Sequence, residues 1–285
     1  MRVISHDFYN IKRVDRFTIV PIGDIHIGAA ACDERLLKDV VARVAGDDTA
    51  YWIGMGDYCD FINRSDPRFN PGALADWVKM ADLADLAAAQ RDRFLEIIKP
   101  IAPKCLCLLE GNHETAITRH YERHVYFEIC AAIKQFAGLE EDDKLALGYN
   151  GWLKLNFYRS KKRKEGSGIV KINLHHGFVG GRLDGAKALN MQRRMAFCDA
   201  DLCLMGHSHN TMVQSGAREY LAGMTVKNKK TIGAYTGTFL KSYNPDGPAT
   251  YSEVKGYLPM PLSRVEILLR PGAKEQEDRI KVLIL

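Results

Sequence analysis

Short apolar runs that stop at glycine and metal-compatible side chains constrain this chain more than any other feature. The clearest is 105–109, followed without a gap by Glu110, Gly111, Asn112, His113 and Glu114. An apolar strand that ends at glycine and hands an amide, an imidazole and a carboxylate to a loop is how α/β proteins build sites. A β-turn with an ordinary helix cap fits the same residues, so the weight falls on whether other runs end alike. Residues 17–23 deliver Asp24 and His26, and residues 50–55 end at Gly56-Asp57, with Asp60 shortly after. Residues 169–174 end at His175-His176-Gly177, and residues 201–205 end at Gly206-His207-Ser208-His209. On extended backbone, residues i and i+2 face one side. Asp24 with His26, and His207 with His209, are therefore expected to converge.

Between these runs the pattern is strand–helix at first and strand-rich later. Residues 33–44 predict a helix, with Asp33 as cap and an apolar stripe of Leu36, Leu37, Val40, Val41 and Val44. Residues 73–99, rich in Ala and Leu, predict one long helix that either caps a cleft or packs on the sheet. Residues 115–136 predict another. It carries Arg119, His120, Arg123 and His124, either as a salt-bridged solvent face or as a substrate contact. Residues 152–157 alternate apolar and polar as a half-buried strand does. The turn that follows holds Lys161, Lys162, Arg163 and Lys164, a soluble hairpin edge or a nucleic-acid contact. Further strands are expected at 220–226, 231–236, 251–255, 262–269 and 282–285.

With 285 residues, 46% of them apolar and 26% charged, the chain can bury a sizeable core. We read one domain over residues 1–285, with its polar motifs at 24–209 and a strand-rich part at 210–285. The net charge of +5 permits contact with a polyanion without demanding it. Seven cysteines without framework spacing suit a reducing compartment, hence a cytoplasmic location. Cys105 and Cys107 sit inside an apolar run and read as core. Residues 1–10 lack the apolar segment of a signal peptide. No stretch approaches the roughly 18 consecutive apolar residues of a membrane span, so no membrane contact is expected.

Five runs that end in Asp, Asn or His are more than packing asks for. Carboxylate and imidazole together suit Mn, Fe, Zn or Ni, and the carboxylates and amide also tolerate Mg. The set is too large for one catalytic ion, which typically takes about three protein ligands. It fits two divalent ions about 3.5–4 Å apart that share a carboxylate.

Taken in order, Asp-x-His, Gly-Asp, Gly-Asn-His-Glu, His and Gly-His-x-His, the chain resembles the calcineurin-like metallophosphoesterase superfamily from residue 17 to 210. The resemblance implies a four-layer α/β/β/α sandwich, two mixed sheets face to face with helices outside, and ligands in loops at the C-terminal strand ends. It implies Asp24, His26 and His209 on one ion, Asn112, His207 and one of His175 and His176 on the other, and Asp57 between them. His113 matches the family's general acid. Asp60 matches a residue that orients that histidine in some branches. The implied reaction is hydrolysis of a phosphate ester. Hydroxide formed at the two ions, manganese first among the candidates, attacks in line while His113 protonates the leaving alkoxide.

Gly-Asn-His-Glu also resembles the serine/threonine protein phosphatases, but Phe61 and Glu110 stand where that branch has arginines for phosphate. Fewer fixed cations suit a monoanionic diester. A phosphodiesterase acting on nucleotide or nucleic acid is therefore expected, with a phosphomonoesterase, or an inactive scaffold of the same fold, as alternatives. Arg119, Arg182 or Arg193 could supply the missing charge from elsewhere. Residues 180–187 read either as a phosphate-holding loop using Arg182 and Lys187 or as a tight turn before a helix. A basic tip standing beside the metal cleft would favour a polynucleotide.

Overall fold

A computed structural model describes residues 1–161, 166–178, 183–245, 247–275 and 278–285. The first half runs β1 (Arg2–Phe8), β2 (Phe17–Ile22), α1 (Glu34–Gly46), β3 (Ala50–Gly54), α2 (Leu86–Ile98), β4 (Cys105–Leu109), α3 (Asn112–Tyr121), α4 (Val125–Ala137) and β5 (Ala146–Gly148). The second half runs β6 (Asn150–Tyr158), β7 (Gly166–His175), α5 (Asp184–Phe197), β8 (Leu202–Met205), β9 (Thr211–Ala222), β10 (Thr225–Thr238), α6 (Tyr251–Val254), β11 (Ser263–Leu269) and β12 (Ile280–Ile284).

Strand pairing joins all of these strands, but the link from β10 to β11 is only Gly237 with Arg264 and Thr238 with Ser263. The sheet therefore folds into two mixed halves. One has the order β1-β6-β7-β8-β10-β9 and the other β12-β11-β2-β3-β4-β5. Their inner faces meet in one apolar core, where Ile19, Ile53, Cys107 and Leu109 face Leu153, Phe157, Ile172 and Leu204. Outside the second half, α1, α2 and α4 cover Val20, Trp52 and Leu108. Outside the first, Met191 and Met195 of α5 pack on Cys203, Met205 and Tyr235. The expected four-layer α/β/β/α sandwich is thus present, and Cys105 and Cys107 are buried in it.

The expected elements need correction in four places, the first being that residues 220–226 are not one strand, since β9 ends at Ala222 and β10 starts at Thr225. Residues 73–99 are not one helix. Two 3-10 turns, Pro71–Ala73 and Met80–Ala84, precede α2. Asp82 and Asp85 accept the backbone N–H groups of Lys79 and Ala88, and these local side-chain bonds compete with a continuous helix. Leu86, Phe94, Leu95 and Ile98 of α2 are buried, so this helix packs on the sheet rather than capping a cleft. Residues 115–136 are two helices, broken where Glu122 turns left-handed at φ 53°. The break splits the basic stripe. Arg123 pairs with Asp85 and Glu128, while His120 stays on α3. The strand expected at 251–255 is the short helix α6, in which Glu253 accepts the N–H of Thr250. Strands β1 and β5 were not expected. β1 lies parallel to β6, with only Ile4 buried, so its apolar signal is weak. Among the described residues no helix is long and apolar enough to cross a membrane.

Candidate metal centre

The loops that follow β2, β3, β4, β7 and β8 meet at one edge of the sandwich. Glycine makes the approach possible. A Cβ on Gly111 would stand 2.2 Å from Asp57 Oδ1, and one on Gly56, at φ 89°, would stand 2.7 Å from His176 Nδ1. The side chains do converge, but not on extended backbone as the i, i+2 spacing suggests. Asp24, His26, Asp57, His207 and His209 all have φ between 49° and 65°. Left-handed backbone at residues other than glycine costs of order 1–3 kcal/mol each and gathers at functional sites. Between Asp24 and His26, the fully buried Ile25 anchors the loop in the core.

Three sets of donor atoms result, each lying within 4.8 Å: Asp24, His26 and His209; Asp57, His176 and His207; and His26, Asp60 and His113. In the first, His26 Nε2 is 3.2 Å from His209 Nε2, and His209 Nε2 is 3.5 Å from Asp24 Oδ1. In the second, His176 Nε2 is 3.0 Å from Asn112 Oδ1 and 3.2 Å from Asp57 Oδ2. The same Asp57 oxygen is 4.0 Å from His26 Nε2, so Asp57 faces both sets. His176, not His175, enters the cluster. His176 is fully buried with Nδ1 on the Met55 carbonyl, whereas His175 Nδ1 accepts the N–H of Gly177.

Burial pushes the Asp24 carboxyl up to about 8 despite His176 nearby. Burial also opposes charge on His176, but Asp57 and Asp24 outweigh it and raise that pKa to about 10. Burial and the neighbouring His176 push His207 down to about 4. Against its own burial, Asp57 is held well below the usual carboxylate range by His176 and His113. A divalent cation fits this donor set, because it keeps carboxylates ionised and imidazoles neutral at once. Two imidazole nitrogens and two carboxylates aimed at common points are what such an ion takes.

His113 belongs to the third set only, and to neither of the first two. Its backbone N–H donates to Asp57 Oδ1 at 3.0 Å, and its Nδ1 bonds the carbonyl of Asp60. Burial opposes its charge, but Asp57 and Asp60 outweigh burial and raise its pKa. The Asp60 carboxylate faces His26 instead, with Oδ1 3.5 Å from His26 Nδ1. Asp60 thus holds His113 by its main chain, while its carboxylate approaches His26 Nδ1, a buried atom with no hydrogen-bond partner.

One residue of the site had no role in the sequence reading. Buried Glu114 accepts three backbone N–H groups, from Asp57, Tyr58 and Gly111, at 2.8–2.9 Å. It ties the loop after β3 to the loop after β4. Its place at the third position of α3, after a capping glycine, was a visible signal for the bond to Gly111. The bonds across to the neighbouring loop left no local trace.

Lys187 is buried on α5 with Nζ 3.4 Å from Asp184, and belongs to none of the three sets. Asp184 Oδ1, which Lys187 approaches, also accepts the side-chain amide of Asn210, next to His209. Arg182 lies outside the described residues, as do Lys162, Arg163 and Lys164. Lys161 stacks over the Tyr9 ring beyond the end of β6. In the β6–β7 pair, Asn150 opposite His175 marks the metal end and Tyr158 opposite Gly166 the other. Eight residue steps of strand separate these ends, about 27 Å. Lys161 therefore does not stand beside the cluster. Arg119 and Arg193 are exposed on α3 and α5.

Residues 17–211 match the family described as calcineurin-like phosphoesterase. Among solved structures, the chain is similar to vacuolar protein sorting 29 from Cryptosporidium parvum, at 14% identity over 95% of this chain and 97% of that one, with a TM-score of 0.42. It is also similar to a metallophosphoesterase from Sphaerobacter thermophilus (11% identity, 94% and 88% covered, TM-score 0.36). A third is the calcineurin-like phosphoesterase YfkN from Bacillus subtilis (11% identity, 94% and 90% covered, TM-score 0.34). No curated protein matches the chain.

Proposed function

The chain belongs to the calcineurin-like phosphoesterase family, and on that premise we propose that it is a two-metal phosphodiesterase acting on nucleotide esters. Asp24, His26 and His209 would hold one ion. Asn112, His176 and His207 would hold the other, and Asp57 would serve both. When bound, divalent ions at these positions, manganese first among them, acidify water and offset the charge of a phosphate. Asn112 offers an oxygen without adding negative charge.

The chain's own part in the reaction centres on His113. Its Nδ1–H donates to the Asp60 carbonyl, which fixes the ring and leaves Nε2 for the substrate. Asp57 and Asp60 favour its protonated form. Nε2–H then delivers a proton to the departing oxygen. The Asp60 carboxylate lies 3.5 Å from His26 Nδ1, on the side of that ring away from the nitrogen near His209.

The observation that carries the diester reading is a shortage of fixed cations. Among the described residues, the carboxylates of Asp24, Asp57 and Asp60 are ion-paired only to histidines. Phe61 is buried and Glu110 is a carboxylate. A monoanionic diester asks less of such a site than a dianionic monoester does. All seven cysteines are free, which suits a reducing, cytoplasmic setting.

The test is to purify the protein without chelator, count metals per chain, and compare bis-p-nitrophenyl phosphate with p-nitrophenyl phosphate in added manganese. Bound metal with diester preference is the expected result. Preference for the monoester overturns the diesterase reading. An absence of both metal and manganese-dependent hydrolysis makes the chain a scaffold.

A further inference from the structure

A cleft of 310 Å³ opens between α3 and the loop that follows Asp60. On α3, His113, Ala116, Ile117 and His120 stand at i, i+3, i+4 and i+7, so they share one stripe of the helix. The last three line the cleft, which places the proton-donating histidine at the head of that stripe. The opposite wall begins with Phe61, next to the Asp60 carbonyl that holds His113. Both walls therefore start at the acid, and the group attached to the departing oxygen has this cleft in front of it.

The cleft has a definite chemistry. Buried Phe61 and Ile117 make an apolar floor, and half-exposed Tyr121 makes an aromatic rim. Asn63 Oδ1 accepts the Tyr121 hydroxyl and the N–H of Ser65. This orients the amide, and among the described residues no hydrogen bond uses its Nδ2. Among the described residues no lysine or arginine lines the cleft, and the one carboxylate in its wall, Asp66, is held by Arg68 at 2.7 Å. The space thus offers an apolar base, an aromatic edge, a free amide donor and the His120 imidazole.

We propose that this cleft is the leaving-group subsite and that it takes an uncharged, planar, nucleoside-sized alcohol. The inference rests on the hydrolase reading above and narrows it. The substrate is a small diester from which a nucleoside departs, rather than a polynucleotide. A leaving nucleic-acid strand carries a further phosphate on each residue, and among the described residues that line the cleft there is no lysine or arginine to meet one. A nucleobase stacked on Tyr121, with its edge on Asn63 Nδ2, uses what the cleft provides.

Two measurements test this on the metal-loaded protein. Calorimetric titration with adenosine reads the cleft without any hydrolysis. The ratio of kcat/KM for the dinucleoside monophosphate ApA to that for bis-p-nitrophenyl phosphate reads its part in turnover. In Tyr121→Ala we expect adenosine to bind roughly tenfold more weakly and the ratio to fall by a similar factor, since base–aromatic stacking is lost. Asn63→Ala should lower the same ratio while leaving metal content intact. Hydrolysis of bis-p-nitrophenyl phosphate without adenosine binding, or with a ratio unmoved by both substitutions, overturns the subsite and leaves the hydrolase standing. Wild-type protein that cleaves neither ester overturns the hydrolase reading, and the leaving-group assignment falls with it. Faster cleavage of single-stranded DNA than of ApA overturns the preference for a small diester.

Discussion

His113 is the residue whose placement makes the most specific demand. It is bonded to the Asp60 carbonyl on one nitrogen, and its pKa is raised by Asp57 and Asp60 against burial. A group so placed matters only when the departing oxygen needs a proton. In His113→Ala, kcat for ApA should drop by about 10²–10⁴-fold, the usual span of general acid catalysis. Cleavage of bis-p-nitrophenyl phosphate should drop far less, because p-nitrophenolate leaves without protonation. Parallel kcat measurements on the two esters check this, and equal losses would make the histidine a structural part of the cluster. Much of this neighbourhood was legible in the sequence, because each clustered side chain follows an apolar run and a strand must end somewhere specific. The choice between His175 and His176 was not legible. It depends on where β7 stops, and His175 spends its Nδ1 on Gly177 while His176 turns inward. Nor was the left-handed backbone at Asp24, His26, Asp57, His207 and His209, which arises from loops pinned at both sides. Glu114 escaped for a related reason, since two of its three partners lie more than fifty residues away.

Helices α3 and α4 meet at a residue badly suited to its backbone. Glu122 is exposed, has φ 53° and donates its N–H to Thr118, the geometry of a helix end that glycine usually occupies. Left-handed backbone costs an L-residue about 1–2 kcal/mol, of which glycine's greater freedom in the unfolded chain returns a part. Glu122→Gly should therefore raise the unfolding free energy by about 0.5–1 kcal/mol, read as a higher denaturant midpoint at constant slope. A lower midpoint would mean that the carboxylate makes a contact of its own. This break was hidden in the sequence because residues 115–136 contain no glycine or proline. The same limit explains 73–99, where alanine and leucine continue across turns closed by Asp82 and Asp85. The short apolar strands β2, β3, β4 and β8 were legible because they are buried on both faces. Strands β1 and β5 were not, since one is mostly exposed and the other only three residues long.

The molecule has a catalytic edge and an opposite end with a different electrostatic character. Asp199 lies in the turn between α5 and β8, at the other end of β8 from His207. It pairs with Lys171 of β7, Arg218 of β9 and Lys229 of β10, and so ties three strands together. Hydrogen bonds from Lys171 and Lys229 hold its pKa down to about 2. A carboxylate depressed below its unfolded value of roughly 3.8 stabilises the fold above that pH and stops doing so as pH falls through about 2. More than half of the Asp199 side chain is exposed, so solvent screening limits the contribution to about 1 kcal/mol at neutral pH. For a chain of this length that is a change in Tm of about 2–3 °C. Asp199→Asn should show this loss at pH 7, and the gap to wild type should close between about pH 4 and pH 2. Metal content and turnover should stay as they are, because the substitution sits at the end of the sandwich remote from the cluster. A gap that persists unchanged to pH 2 would show that the aspartate acts by hydrogen-bond geometry rather than by charge. A fall in metal content would show that the two ends of the sandwich are coupled through β7 and β8.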